Sequence, residues 1–499
     1  MAKTFYISTS IPYVNAAPHI GHALEFVQAD SLARFARQYG KDVFFLSGTD
    51  DNALKNSQAA EVAGVPVKKW VDNHSAIFQK LLAELNISND DFIRTSSEKR
   101  HILGAQKLWS SCRQEDIYKK KYSGLYCLGC EEFKQEKDLT DNECPEHPGK
   151  KLELVEEENY FFKLSNYQKQ LEEIISTDKL KIIPESRKNE MLSFIKSGLD
   201  DFSISRSRER AKDWGVFVPG DDDQIMYVWF DALANYITAL DYADDGEKFN
   251  KYWVRGDEII HIIGKGINRF HSIYWPAMLL SAGVTLPKTI FIHGYLTIGG
   301  QKISKTLGNV IDPFEVIKKY GSDATRYFLL RETPSDGDGD FSYAKFEERY
   351  NADLANGLGN FASRVLTLGE KLGKLAAVEI DQKTADAIES ARKLVTDRIT
   401  DFKIHDALAA IWELISYGDK YVNDHKPWSA DLAEVEKQKI IFNAAIILDN
   451  ISALLQSFLP VAADKITSSI CWASDDILEL RKLEILFPRL DSQNMHGLH

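Results

Sequence analysis

The chain has 499 residues, 44% of them hydrophobic and 27% charged, a size and balance suited to several cored domains rather than one. Its 61 basic and 74 acidic side chains leave a formal charge of −13, which argues against broad, sequence-independent binding to nucleic-acid phosphates. Local patches, at Lys119-Lys120-Lys121 and across residues 179–187, still allow a specific nucleic-acid partner.

In chain order, residues 4–10 read as a strand, 21–38 as a helix and 42–46 as a second buried strand, with helical spacing over 52–63 and 68–85. Strands alternating with helices predict a parallel sheet, which places ligands at the carboxyl ends of its strands. The start runs straight into a strand, without the apolar core and cleavage site of a signal peptide. Residues 115–223 read differently, as an insertion of short β segments, a cysteine cluster and the turn-rich Pro219-Gly220-Asp221-Asp222-Asp223. The α/β style returns with a strand at 258–263, a helix at 268–281 and a strand at 289–293. From about residue 345 apolar positions recur at helical spacing, which predicts a mainly α-helical C-terminal domain. The most apolar run, 440–463, is broken by Asn443, Asp449, Asn450, Gln456 and Ser457 and fits a buried amphipathic helix better than a membrane span.

Four constellations carry chemistry. Pro18-His19-Ile20-Gly21-His22 sits between the first strand and its helix, where two imidazoles meet a helix N-terminus suited to phosphate, and Gly21 permits close approach. Gly299-Gly300-Gln301-Lys302-Ile303-Ser304-Lys305-Thr306 offers two ammonium groups to a polyphosphate; its glycine spacing is not that of a Walker loop. Either motif alone is more often a solvated loop; the strand–turn–helix context and the pair together point to phosphate handling. Cys127-Leu128-Gly129-Cys130 and Cys144-Pro145-Glu146-His147 supply four ligands for tetrahedral zinc, structural because no position stays open. That use of cysteine suits a reduced, cytoplasmic compartment, and Cys112 and Cys471 are expected to be core residues. The fourth is aromatic, residues 227–236 and 270–276, either core packing or the wall of an apolar pocket for a thioether.

His19-Ile20-Gly21-His22 matches the HIGH motif of class I aminoacyl-tRNA synthetases, and Lys302-Ile303-Ser304-Lys305-Thr306 resembles their KMSKS motif. Over its whole length the chain resembles the methionyl-tRNA synthetases. The match is carried by Ile11-Pro12-Tyr13-Val14-Asn15, the zinc knuckle, Asp201-Phe202-Ser203-Ile204-Ser205-Arg206, Tyr227-Val228-Trp229-Phe230-Asp231-Ala232, residues 321–332 and Asp338-Gly339-Asp340-Phe341-Ser342. The resemblance implies an α/β fold: a Rossmann-type parallel-sheet catalytic domain split by a zinc-knuckle insertion, then an α-helical bundle that binds the anticodon. The expected divisions are 1–114 and 224–320 for the catalytic halves, the second with the KMSKS-like loop. The insertion is 115–223, a stem-contact linker 321–355 and the anticodon domain 356–499. About a hundred residues of insertion is too little for the editing domain of the leucine, isoleucine and valine enzymes.

Carried over by position, Ile11, Tyr13, Trp229, Ala232, Leu233, Tyr236, Ile267 and His271 would line a methionine pocket, with Trp275 moving against it. Asp50 would hold the α-ammonium. His19, Gly21, His22, Gly294, Lys302, Ser304 and Lys305 would bind ATP, with His19, His22, Lys302 and Lys305 catalytic. Asn360, Arg364 and Trp428 would read the anticodon. The implied cofactors are one structural Zn2+, held by Cys127, Cys130, Cys144 and His147, and Mg2+ brought with ATP. The implied partners are methionine, ATP and methionine tRNA, initiator and elongator, for a monomer without membrane attachment. Three positions depart from the family pattern. Asn52 stands where a histidine is common, Gly266 where an aspartate is usual, and Leu233 where proline is frequent. The other readings are a class I synthetase for another apolar amino acid, a nucleotidyl-transfer enzyme without tRNA, and a non-catalytic zinc-knuckle RNA-binding protein.

Overall fold

The computed structural model describes residues 2–129, 132–134, 139–145, 149–303 and 309–490. The calls on Cys130, His147, Ser304, Lys305 and Thr306, and on the side chain of Lys302, lie outside the described residues. The chain divides into two compact units, one of Met1–Pro18, Tyr39–Ala83 and Ser88–His293, the other of His19–Gln38, Glu84–Ile87 and Gly294–His499.

The first unit is built on six parallel strands: β1 Thr4–Thr9, β2 Asp42–Thr49, β3 Asp91–Arg94, β4 Lys181–Ile183, β5 Glu258–Gly264 and β6 Thr289–His293. Their order is β3-β2-β1-β5-β6-β4, with Ile7 of β1 level with Phe45 and Ile260 on either side. Strands buried on both faces need continuous apolar runs, and β1, β2 and β5 supply them. From β1 the order runs one way through β2 and β3 and the other way through β5 and β6. That reversal opens a crevice at the carboxyl ends of β1 and β5.

Helix Val228–Thr238 is buried on every side, as its all-round apolar sequence requires. Helix Lys99–Ser111 packs against it so closely that a Cβ on Gly104 would lie 2.4 Å from Cγ2 of Thr238. The helix expected over 268–281 is present and runs to Ala282, but it widens into a π-type turn, Phe270–Tyr274, before the regular helix Trp275–Ala282. Pro276 has no amide hydrogen for the turn before it, and its ring crowds the preceding backbone. The stretch read as an insertion forms an antiparallel sheet of Glu132–Lys134, Ile117–Cys127, Glu153–Phe162 and Phe202–Ser203. It also returns β4 to the edge of the main sheet beside β6.

The second unit is mostly helical. Helix Pro313–Tyr320 starts on Asp312, whose carboxylate accepts the Phe314 N–H at 2.8 Å, with proline at the first helical position. Helices Gln382–Thr400, Ile404–His425 and Glu434–Leu455 follow. The last is long and apolar enough to cross a membrane, but 72% of its most apolar window is buried, as in a core helix. A small sheet of Leu375–Ala376, Ile477–Leu480 and Ile470–Ser474 was not expected from the sequence. Cys471 lies on it half-buried, contrary to the expectation of a core residue, because its outermost strand meets solvent. Cys112 is buried as expected, and burial pushes its thiol up to about 12.

Candidate active site

In the first unit the chain leaving β1 crosses the end of β2. Tyr13 and Asp50 form a parallel bridge, and the Asp50 N–H donates to Pro12 O at 2.9 Å. Tyr13 faces Trp229 edge-on, ring centroids 6.3 Å apart. Trp229 stacks flat on Phe270 at 3.7 Å and meets His271 edge-on at 6.4 Å. One helical turns' worth of neighbours, Ala232, Leu233 and Tyr236, is buried on the same helix. The Tyr236 hydroxyl lies 2.7 Å from Nε2 of His271, whose Nδ1 lies 2.9 Å from Ile267 O. A carbonyl only accepts, so Nδ1 carries the hydrogen, and Nε2 accepts from the phenol. Trp275 is fully buried between Tyr236 and Trp253, and its indole N–H has no acceptor among the described residues.

Asp50 is 2% exposed; its Oδ1 accepts the Asn52 N–H at 3.1 Å and its carbonyl the Asn56 side-chain amide at 2.9 Å. Its neighbour Asp51 faces elsewhere, toward Arg94 at 2.7 Å, Ser96 at 2.8 Å and Thr49 at 2.9 Å. Burial raises the Asp51 pKa, and Arg94 opposes it. Of two adjacent carboxylates, Asp51 is thus committed to a structural ion pair, and Asp50 stands beside the aromatic wall.

The second unit holds the histidine pair. The His19 N–H donates to Nδ1 of His22 at 3.0 Å, the Gly21 N–H to Nδ1 of His19 at 3.1 Å, and the rings lie 3.9 Å apart. A backbone N–H only donates, so each Nδ1 is a lone pair and each ring carries its hydrogen on Nε2. That tautomer can donate to a phosphoryl oxygen. Desolvation, then the adjacent His19, holds the His22 pKa well below the ordinary histidine value, so the ring stays neutral. A Cβ on Gly21 would sit 3.0 Å from the His19 ring, and one on Gly294 only 1.9 Å from Gly337 O. Gly294 therefore needs glycine, and a side chain at position 21 would crowd the His19 ring. The strand Leu296–Ile298 turns through Gly299 and Gly300, both at positive φ, into Gln301–Lys302. Asp340 ties the turn, accepting Thr297 Oγ1 at 2.8 Å and the Gly300 N–H at 3.0 Å.

Farther along this unit, Asn360 and Arg364 lie one turn apart on helix Asn360–Leu372. Arg364 donates to Asp419 and Asn423, each at 2.7 Å, and its guanidinium lies 5.2 Å from the ring centre of Trp428, which is 51% exposed. Of the four cysteine-cluster positions, Cys127 and Cys144 are described, and both are buried. Among the described residues no group of three or more His, Cys, Asp or Glu side chains is placed to hold a metal.

The family model described as "tRNA synthetases class I (M)" matches residues 5–151 and 137–366. The methionine–tRNA ligase of Brucella suis is 41% identical over 95% of this chain and 93% of its own, and that of Mesorhizobium japonicum 42% over 95% and 92%. A crystal structure of Mycobacterium tuberculosis methionyl-tRNA synthetase bound by methionyl-adenylate superposes with a TM-score of 0.90. It is 38% identical and covers 97% of this chain and 100% of that one. The chain belongs to the methionyl-tRNA synthetase family.

Sequence reading of this methionyl-tRNA synthetase family member gave no individual site role to four side chains that the structure brings to the site. Phe270 provides the flat face for Trp229. Asn52 gives its side-chain amide to Asp231 Oδ2 at 2.6 Å, and Asp231 Oδ1 lies 2.6 Å from Nε2 of His101. The departure at Asn52 therefore keeps a hydrogen-bond donor. The signal for Asp231 was its place as the one charged residue of a mostly apolar helix, where a buried carboxylate needs partners. The departure at Gly266 has an exposed backbone, on the short turn Lys265–Ile267.

Proposed function

We propose that this chain activates methionine with ATP and transfers the methionyl group to the 2′-hydroxyl of the terminal adenosine of methionine tRNA. One observation carries the reading: a buried carboxylate, Asp50, is joined through the backbone to Tyr13, which walls a chamber of Trp229, Tyr236 and His271. An aromatic chamber suits an unbranched thioether, whose polarizable sulfur packs well against ring edges. The carboxylate selects the α-ammonium by a charge-assisted hydrogen bond. Ile11, Ala232, Leu233 and Ile267 complete the apolar lining, and Trp275 backs it.

Activation needs little covalent help from the protein. A methionine carboxylate oxygen attacks the α-phosphorus of ATP, the bond to the bridging oxygen breaks, and pyrophosphate leaves with the electron pair. Neutral His19 and His22, each with hydrogen on Nε2, donate to the phosphoryl oxygens as charge builds there. Gly21 and Gly294 keep side chains away from the nucleotide. Lys302 and Lys305, with Ser304 between them, hold the departing pyrophosphate, and magnesium offsets phosphate charge when bound with ATP. The 2′-hydroxyl then attacks the activated carbonyl, its proton is lost, and AMP leaves.

Asn360, Arg364 and Trp428 recognise unstacked anticodon bases, the two polar groups by pairing with base edges and the indole by stacking. A structural zinc would be held by Cys127, Cys130, Cys144 and His147. The two buried thiols among them fit such a donor set, and four protein ligands leave no position for substrate. Cysteines spaced for a metal and not for disulfides suit a reducing, cytoplasmic setting.

The test is amino-acid-dependent ATP–pyrophosphate exchange across the standard amino acids, without tRNA. Exchange with methionine alone is expected, and its loss in His22→Ala. Exchange with a different amino acid would overturn the pocket assignment, and none at all the activity itself.

A further inference from the structure

Helix Val228–Thr238, which carries the pocket residues Trp229, Ala232, Leu233 and Tyr236, contains one carboxylate among side chains that are otherwise apolar or amide and hydroxyl. That carboxylate, Asp231, is wholly buried and bridges two buried partners. One oxygen lies 2.6 Å from Nε2 of His101, on helix Lys99–Ser111, and the other accepts the Asn52 amide at 2.6 Å. Nδ1 of His101 lies 2.9 Å from Thr238 Oγ1, and the Asn52 backbone N–H donates to Asp50 Oδ1 at 3.1 Å. The result is an unbroken line: Thr238, His101, Asp231, Asn52, Asp50.

We propose that His101 is a positioning residue for amino-acid capture, acting through Asp231 and Asn52 to set the carboxylate of Asp50 against the substrate ammonium. The proposal rests on the reading of Asp50 given above. Three features support it. His101 contacts the pocket helix at two places, Asp231 and Thr238, and Gly104, one turn on, lets the same two helices close to backbone distance. Every member of the line is buried, so water does not repair a broken link and the geometry passes along it. Asn52 is the joint. Its side chain is fixed by Asp231 while its main chain holds Asp50, so movement of one moves the other. Asn56 adds a second hold on the main chain of Asp50 but none on its carboxylate.

The experiment compares two ligands in His101→Leu, His101→Gln and the wild type, using methionine-dependent ATP–pyrophosphate exchange. One ligand is methionine. The other is 4-(methylsulfanyl)butanoate, which keeps the thioether and carboxylate but has no ammonium, and is read as a competitive inhibitor. His101→Leu is expected to raise the methionine KM on the order of ten- to a hundred-fold, the range for losing a hydrogen bond to a buried charge. Its inhibition constant for the analogue should stay near the wild-type value, as should kcat. His101→Gln, which keeps a donor toward Asp231, should restore most of the methionine KM.

A merely structural role would weaken both ligands together. Equal losses for methionine and analogue would therefore overturn the proposal, as would unchanged values for both. Should His101→Leu not fold, Asn52→Ala carries the same comparison, since it removes the link to Asp231 and leaves the buried imidazole in place. Wild-type protein that shows no methionine exchange would remove the underlying reading and this proposal with it. Wild-type exchange with insensitive variants would remove this proposal alone.

Discussion

The phenol of Tyr236 lies 2.7 Å from Nε2 of His271, and the opposite ring nitrogen donates to Ile267 O at 2.9 Å. The second bond fixes the tautomer, and the first fixes the ring. A side chain on helix Val228–Thr238 thus orients an imidazole on the π-type turn Phe270–Tyr274. Both residues are buried, so no water replaces a lost partner.

Tyr236→Phe removes that hydrogen bond from inside the pocket. The expected result is a methionine KM raised on the order of ten-fold, with the KM for ATP unchanged. Exchange kinetics at varied methionine and varied ATP measure both. An unchanged methionine KM would take Tyr236 out of the pocket.

His261 gives a pH dependence. It is fully buried on β5 with Nδ1 2.7 Å from Ser8 Oγ, and burial, then His271, holds its pKa well below the ordinary value. The unfolded chain takes up a proton near about pH 6.5 that the folded chain refuses. Stability is therefore complete above that pH and is lost as pH falls from there toward the folded-state pKa, by up to about 1.4 kcal/mol per unit for this one group. Urea unfolding at a series of pH values should show the slope, and His261→Asn should make it shallower, leaving the share of His22. Parallel curves for the two proteins would assign the slope elsewhere.

Arg326 and Asp30 form an ion pair at 2.7 Å with neither side chain exposed, and Arg326 also donates to Phe458 O at 2.7 Å and Leu85 O at 3.1 Å. Arg326→Ala takes one guanidinium from a buried carboxylate that keeps Arg34 at 2.8 Å, strands two buried carbonyls, and should cost roughly 2–5 kcal/mol in urea unfolding. An exposed pair such as Lys68 with Asp72 is worth at most about 1 kcal/mol. A loss that small at Arg326 would mean that Arg34 alone satisfies Asp30.

Trp428 presents half its surface to solvent beside Arg364. Trp428→Ala should leave stability within about 0.5 kcal/mol and exchange unchanged, since neither involves the anticodon. Aminoacylation of tRNA should fall on the order of ten- to a hundred-fold through lost stacking. Equal loss in exchange and in charging would point to a folding defect.

Zinc content tests the insertion. Protein purified with added zinc and then dialysed should retain roughly one equivalent by atomic absorption, and Cys144→Ser should lose it. Retention of the metal by the variant would exclude Cys144 from the ligand set.

The sequence by itself determined the elements whose signals are local. The apolar runs of β1, β5 and β6, and the helices Ile20–Gln38 and Val67–Glu84, lie within a few residues of where period and composition put them. His19 and His22 were legible for the same reason, as partners three residues apart at a helix start. Family resemblance, not periodicity, singled out Asp50, Tyr13 and Trp229. Tertiary structure alone decided the rest. Asp231 meets His101 across 130 residues of chain and Asn52 across 179, and hydrogen bonds that long leave no repeat or spacing to read. The same holds for β4, three residues too short to announce themselves, which become a strand only because β6 offers an open edge. Local periodicity records what a residue does to its near neighbours along the chain. Which buried polar groups find each other is set by packing, where each must have a partner once water is gone.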